Sequence, residues 1–334
     1  MTSTATLKQR RAATPRLFPG LIVAFGLAMV ADKLSSYATV SALTIAVVSG
    51  MALGNLPYNI ETLRPGLAFA GRSVLRVGVV LLGMRLSVGQ IGDLGIPVIV
   101  VIVATVTATF FGTQALGRKL GVSESLSLLV ATGYSICGAS AIAAMESTAD
   151  GEEEEVAMAI GLVTLAGTTA MFALPALSPL IGLTDDQFAI WVGASIHDVA
   201  QVVAAGATGG SAVLAAAVVV KLSRVLLLAP LVASVGIARR RTAPLDNSTR
   251  PPLLPGFIVG FLLMVVARSS GFVPQFAVDA ITGVESLVFA IALVGLGAGV
   301  QINRLRRLGG APLLLGACAS LIVAGVSLAA VVIV

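Results

Sequence analysis

Charge is scarce in this chain: Asp, Glu, Lys and Arg make up 11% of its 334 residues, and there is one histidine. Soluble chains carry about 25% charged residues, so the polar surface that would keep a globule in water is missing. Two cysteines, Cys137 and Cys318, both fall inside apolar sequence. With one histidine, they exclude a disulfide framework and a metal-ligand cluster. No HExxH, GxSxG or GK[ST] phosphate-loop pattern occurs. Enzymes of those kinds are excluded, as is an ATP-driven pump unless a partner subunit supplies the nucleotide site. No enzyme, cofactor or metal is expected.

What is present is apolar: 57% of the residues are hydrophobic and the mean hydropathy is +1.01. This is the composition of an all-α polytopic membrane protein. A span needs about 20 apolar residues, and charges and turn residues mark out eleven: 17–31, 39–54, 66–84, 95–116, 124–145, 155–180, 187–207, 211–237, 252–268, 280–301 and 310–334. The second and ninth are short. Residues 1–16 read as a retained N-terminal cytoplasmic tail, because the apolar run after them lacks a small-residue cleavage site. Residues 17–334 read as one integral membrane domain, with a Pro-rich loop at 239–252 joining its two parts.

Lys and Arg outnumber Asp and Glu, 21 to 16. With the N-terminus inside, fourteen of the 21 fall in inner segments, three (Lys33, Arg85 and Arg268) in outer ones, and four within spans. Basic residues are retained on the cytoplasmic side, so the bias reports topology and not a nucleic-acid partner. The expected setting is the inner membrane, N-terminus in and C-terminus out.

Two internal echoes stand out. In ATGYSICGASAIAAME (131–146) and GASIHDVAQVVA (193–204), Gly133, Ser135, Ile136 and Ala144 coincide with Gly193, Ser195, Ile196 and Ala204. In 78–95 and 292–309, Leu82, Gly83, Leu94 and Gly95 coincide with Leu296, Gly297, Leu308 and Gly309. The second pair lies in spans three and ten, an odd offset, which predicts an inverted repeat. The first lies in spans five and seven, an even offset that predicts parallel copies, so one duplication does not account for both. Glycine and small polar residues inside these spans predict broken helices, because a break in a membrane helix is tolerated where protein or a wet cavity satisfies the freed backbone.

Charges inside spans are costly and normally face a bundle interior. They are Arg72 and Arg76 in span three, His197 and Asp198 in span seven with Gln201 one turn on, and Lys221 and Arg224 in span eight. Four cations against few acids imply a positive interior that a small anion would occupy. Broken-helix amide groups and the hydroxyls of Ser135, Ser140 and Ser195 are further donors. Histidine titrates near neutrality, so His197 with Asp198 is the candidate for proton coupling. Each feature also has a plain structural reading. Arg72 and Arg76 can snorkel, Lys221 or Arg224 can pair with Asp198, and His197, Cys137 and Trp191 can be packing residues. Glu152–Glu155, placed outside by the span count, can cap the sixth helix.

The stretches GVVLLGMRLS, GYSICGASAIAA, EEEEVAMAIGLVTLAGT, SIHDVAQVVAAG and VVKLSRVLLLAP resemble the YeiH-type sulfate-exporter family, over roughly residues 56–310. The resemblance implies a fold like that of sodium/bile-acid symporters, with inverted repeats, broken crossing helices in a core domain and a separate panel domain. It also implies a cavity lined by Ser135, Cys137, Gly138, Ser140, His197, Asp198, Gln201, Lys221 and Arg224. Residues and resemblance together predict a secondary transporter of a small anion, sulfate- or sulfonate-related, in the export direction and working by alternating access. Its partners would be that anion and the lipid bilayer, with self-association open. Two rival readings are a sodium/proton antiporter centred on Asp198 and a non-transporting scaffold or sensor, which would lack a cavity at mid-depth.

Overall fold

A computed structural model describes residues 17–37, 42–56, 60–242, 255–299 and 310–333. The tail 1–16, most of the 239–252 loop and the 300–309 part of the second echo lie outside them. The described residues form helices and no strands. Each of the eleven apolar segments has its helical counterpart. These are α1 (Leu17–Ser35), α2 (Ala42–Gly54), a third span built from α3 (Arg64–Phe69), a π-turn, α4 (Leu75–Leu82) and a 3-10 turn to Arg85, then α5 (Val88–Asp93) as a short linker and α6 (Gly95–Lys119). They continue with α7 (Glu124–Ser135), α8 (Ala139–Ala149), α9 (Glu153–Ile181), α10 (Asp185–Ser195), α11 (Val199–Ala207), α12 (Ser211–Leu226), α13 (Leu228–Thr242), α14 (Gly256–Ser269), α15 (Gln275–Gly299) and α16 (Gly310–Ile333).

Seven of these helices are long and apolar enough to cross a bilayer, and α2 and α14 are shorter apolar helices. These nine run from one end of the bundle to the other; the two broken segments do not. The near end is where α1 starts and the far end where it finishes. α7 leaves the near end, and α8 returns to it. A Cβ on Gly133 would lie 2.8 Å from the Ile142 side chain, and one on Gly151 3.2 Å from Leu129 and 3.5 Å from Ser125. Arg239 closes the base, donating to the Ala149 carbonyl at 3.0 Å and to the Glu124 carboxylate at 3.2 Å. The α10–α11 pair is the mirror case and enters from the far end. Gln187, at its start, donates to the carbonyl of Val331 near the end of α16. Gly193 and Gly206, from its two arms, both abut Ala217.

The fold class therefore holds, with spans five and seven as re-entrant hairpins instead of full crossings. The two fold-backs cancel in the topology. Only the loops 146–154 and 181–186 change ends, and neither contains Lys or Arg, so the basic count of fourteen to three is unaffected. Glu152–Glu155 moves to the near end. There Glu155 accepts from the Glu152 amide, forming a capping box at the start of α9, and from the hydroxyls of Ser123 and Ser125. The first echo, predicted parallel, is in fact inverted. α7–α8–α9 and α10–α11–α12–α13 each consist of a hairpin and a long helix, entering from opposite ends. The second echo also pairs antiparallel helices, but its copies fall in the opposite chain order from the first, so the hairpin unit is the repeat that the architecture carries.

The helices sort into two bundles, packed much more densely within themselves than against each other. The panel comprises α1, α2, the third span, α14 and α15, around Ala24, Ala28, Ala46, Leu67, Ala290 and Val294. Its backbones touch where Gly20 meets Gly66, and where Gly50 and Gly54 meet Val294 and Ala298, the small-residue contact that packs membrane helices. The core bundle holds the hairpins, α6, α9, α12, α13 and α16, around Tyr134, Ile136, Ile142, Met145, Leu162 and Leu222.

Candidate functional site

Each hairpin has a defined reason to turn at mid-depth. Ser123 caps the start of α7 by accepting from the Leu126 amide at 3.2 Å, and Thr184 caps α10 in a capping box with Gln187. α7 ends at Ser135, and Gly138 turns the chain with φ 70° and ψ −132°, a region that L side chains rarely enter. α10 ends at Ser195, and residue 196 continues extended. The two tips, 136–138 and 196–198, meet: a Cβ on Gly138 would lie 3.5 Å from the His197 carbonyl oxygen and 3.8 Å from Asp198 Oδ2.

At this crossing, the C-terminal ends of α7 and α10 leave carbonyls without helical partners. α12 supplies the donors. Lys221 Nζ donates to the carbonyls of Ile136 and Ile196, both at 2.7 Å. Arg224 donates to Tyr134 at 3.0 Å, to Ser135 at 2.7 and 3.1 Å, to Ile196 at 3.3 Å, to Gly193 at 3.5 Å and to Ala194. Both side chains are fully buried. The two cations thus sit against the negative ends of two half-helices, and α12 fastens hairpins that enter from opposite ends. The N-terminal, positive ends of α8 and α11 stay on the other side of the crossing, beside Asp198.

Two cavities adjoin those N-terminal ends, both between core and panel. The larger, about 440 Å³, reaches in from the far end. Its mouth is marked by exposed Asp32, Gly283 and Ser286, its panel wall by Arg85 and Glu285, and its depth by Cys137, Ser140 and Asp198. The smaller, about 40 Å³, lies between the tips and α9, lined by His197, Asp198, Gln201, Thr164 and Thr168 with apolar residues of α2 and α15. Asp198 lines both. Cys137 Sγ lies 2.8 Å from Ser140 Oγ, which also meets the Cys137 carbonyl at 3.1 Å. Gln201 Oε1 accepts from the Asp198 amide at 3.2 Å and lies over Gly167, where a Cβ would come within 2.8 Å of its amide nitrogen. His197 is buried, its ring 4.5 Å from Tyr134 in an edge contact, with neither ring nitrogen hydrogen-bonded among the described residues.

All ten predicted site residues lie at or directly behind the crossing. Cys137, Gly138, Ser140, His197, Asp198 and Gln201 line a cavity. Lys221 and Arg224 sit behind the tips with their donors directed at backbone. Ser135 and Ser195 line neither cavity: each hydroxyl bonds its own helix, at Thr132 and Trp191. Arg72 and Arg76 are exposed. Arg76 lies 4.0 Å from Glu146 and 5.7 Å from the Phe257 ring centroid. Sequence alone does not single out Arg85, Asp32 and Gly167 as site residues. Charged residues at span ends look like loop residues, and a glycine in an apolar helix carries no signal of its own.

Comparison with known proteins places this architecture. The family model described as "Conserved hypothetical protein 698" matches residues 19–316. A UPF0324 membrane protein of Corynebacterium glutamicum is 39% identical over 317 residues, covering 93% of this chain and 91% of its own. The UPF0324 membrane protein TauZ of Paracoccus pantotrophus is 36% identical over 310 residues, covering 91% and 92%. The UPF0324 inner membrane protein YeiH of Salmonella typhi is 33% identical over 321 residues, covering 93% and 92%. No solved structure matches. With nine end-to-end spans and two re-entrant hairpins among the described residues, and this family match over nearly its whole length, the chain is a multi-pass membrane protein of the UPF0324 family, the family of YeiH and TauZ.

Proposed function

We propose that this protein is a secondary transporter of a small anion, sulfate- or sulfonate-like, working by alternating access in the inner membrane with its N-terminus inside. The observation that carries the reading is the charge balance at the crossing. Each half-helix end is equivalent to roughly half an elementary charge. Lys221 and Arg224 contribute two positive charges, opposed by about one negative charge from the C-terminal ends of α7 and α10. The N-terminal ends of α8 and α11 contribute about one positive charge, opposed by Asp198. The remainder is roughly +1, next to a cleft deep enough to admit a solute. A monoanion balances it, and an anion at the α8 N-terminus meets free amide groups. Arg85 and Glu285 pair with each other and leave this balance unchanged.

Under this orientation the cleft faces outward, and the sparse contact between core and panel supports motion of one against the other. Export is the direction that the family resemblance implies. His197 and Asp198, around the small cavity, would carry proton coupling. The position of Asp198 in both cavities favours a second reading, sodium/proton antiport. Counterflow in proteoliposomes separates the two: loaded sulfate or methanesulfonate should drive uptake of the labelled anion without sodium. Sodium-driven proton flux with no permeant anion, and no counterflow, would select the antiporter. A cleft reaching the tips runs against the scaffold reading.

A further inference from the structure

The cleft has two walls, and the second carries a cation that sequence reading assigns to a loop. Arg85 closes the third span and lines the cleft from the panel side. It is held in place from behind: Nε donates to the Glu285 carboxylate, and Nη2 to Ser286 Oγ at 3.0 Å and to the Thr282 carbonyl at 3.3 Å. Glu285 is buried, so a packed carboxylate fixes the plane of the guanidinium. Nη1 has no hydrogen-bond partner among the described residues, and the Arg85 side chain keeps 31% of its surface exposed. Among the described residues lining the cleft, Arg85 is the one with a cationic side chain, because Lys221 and Arg224 lie behind the tips.

From this geometry we infer that Arg85 binds the oxyanion of the transported solute directly, across the cleft from Ser140 and the N-terminal end of α8. The inference rests on the anion reading above and adds the residue that selects for oxyanions. With Nε and Nη2 engaged, Nη1 offers two N–H donors in a plane fixed from behind, aimed at the oxygens of a sulfonate, sulfate or carboxylate, whereas a lysine ammonium has no such fixed plane. Glu285 explains why an acid is buried in an anion cleft: it orients the guanidinium and keeps the unoccupied cleft wall neutral. Arg85 belongs to the panel and Ser140 to the core, so a solute held by both ties the bundles together.

The test is calorimetric titration of full-length protein in lipid nanodiscs with sulfate and with methanesulfonate. The wild-type protein and Arg268→Gln, which changes a far-end arginine outside the cleft, should bind equally. Arg85→Gln should lose about 10- to 100-fold in affinity, and Arg85→Lys should fall between. Arg85→Gln strands a buried carboxylate and can destabilise the fold. The double variant Arg85→Gln/Glu285→Gln keeps a neutral hydrogen-bonding pair and should show the same loss with near wild-type thermal stability. Binding by Arg85→Gln or the double variant within about twofold of wild type overturns the inference and leaves the anion reading standing. Failure of the wild-type protein to bind either anion overturns both.

Discussion

Arg224 is the side chain on which the two readings of the basic residues diverge. As an anion ligand, its removal would abolish flux and spare the fold. The structure instead has it donating to five carbonyls at the C-terminal ends of α7 and α10, the first arms of the two hairpins. In Arg224→Ala, each carbonyl left without a partner costs about 1–3 kcal/mol. Addition over five overshoots, since the tips relax and Lys221 still holds Ile136 and Ile196. Breaking a buried ionic contact from one side costs about 3–5 kcal/mol. At about 2–4 °C per kcal/mol, the unfolding midpoint in detergent should fall by about 6–20 °C. Arg224→Lys keeps the charge but loses the fork that reaches both tips, and should lie about midway. The assay is thermal denaturation followed by size-exclusion recovery of monodisperse protein, with counterflow on the surviving fraction. An unchanged midpoint with flux abolished would refute the fastening role and return Arg224 to the solute.

Three further outcomes follow from the crossing. Gly138→Ala should cost about 1–3 kcal/mol of backbone strain and impair flux; Gly210→Ala, at a far-end turn with φ 93°, should be strained but transport normally. Gly167→Ala would place a methyl 2.7 Å from the Gln201 side-chain carbon. It should displace that amide from the small cavity, reducing flux more than stability, as read by parallel counterflow and denaturation. His197→Gln should leave exchange at equal pH intact and remove acceleration by an imposed pH gradient. Persistence of that acceleration would take His197 out of the coupling step.

Much of this arrangement was legible in the residues themselves. Apolar runs ending at charges placed every apolar segment, though not the short linker α5, and Gly133, Gly138 and Ser195 marked the two interruptions. What was hidden is the course of the chain after each break. A glycine permits a turn but does not choose between continuing and folding back; the choice is made at a distance, by Lys221 and Arg224 drawing two sets of carbonyls together and by Arg239 closing the α7–α8 base. The even offset between spans five and seven therefore pointed to parallel copies, where fold-backs produce inverted ones. Lys221 and Arg224 were rightly found interior, but their partners are backbone groups, which no side-chain inventory contains. Arg85 and Asp32 were counted with loops because they stand at helix ends, and their common cleft exists only once panel and core are apposed.

Reactivity at Cys137 tests the account most directly, because this native thiol lies at the inner end of the cleft beside Ser140. In a Cys318→Ser background, a small membrane-impermeant thiol reagent should modify Cys137 slowly. Sulfate or methanesulfonate should protect it at the concentration that half-saturates counterflow. Modification unaffected by any transported anion, while counterflow proceeds, would place the solute's path elsewhere and contradict a binding site at the hairpin tips.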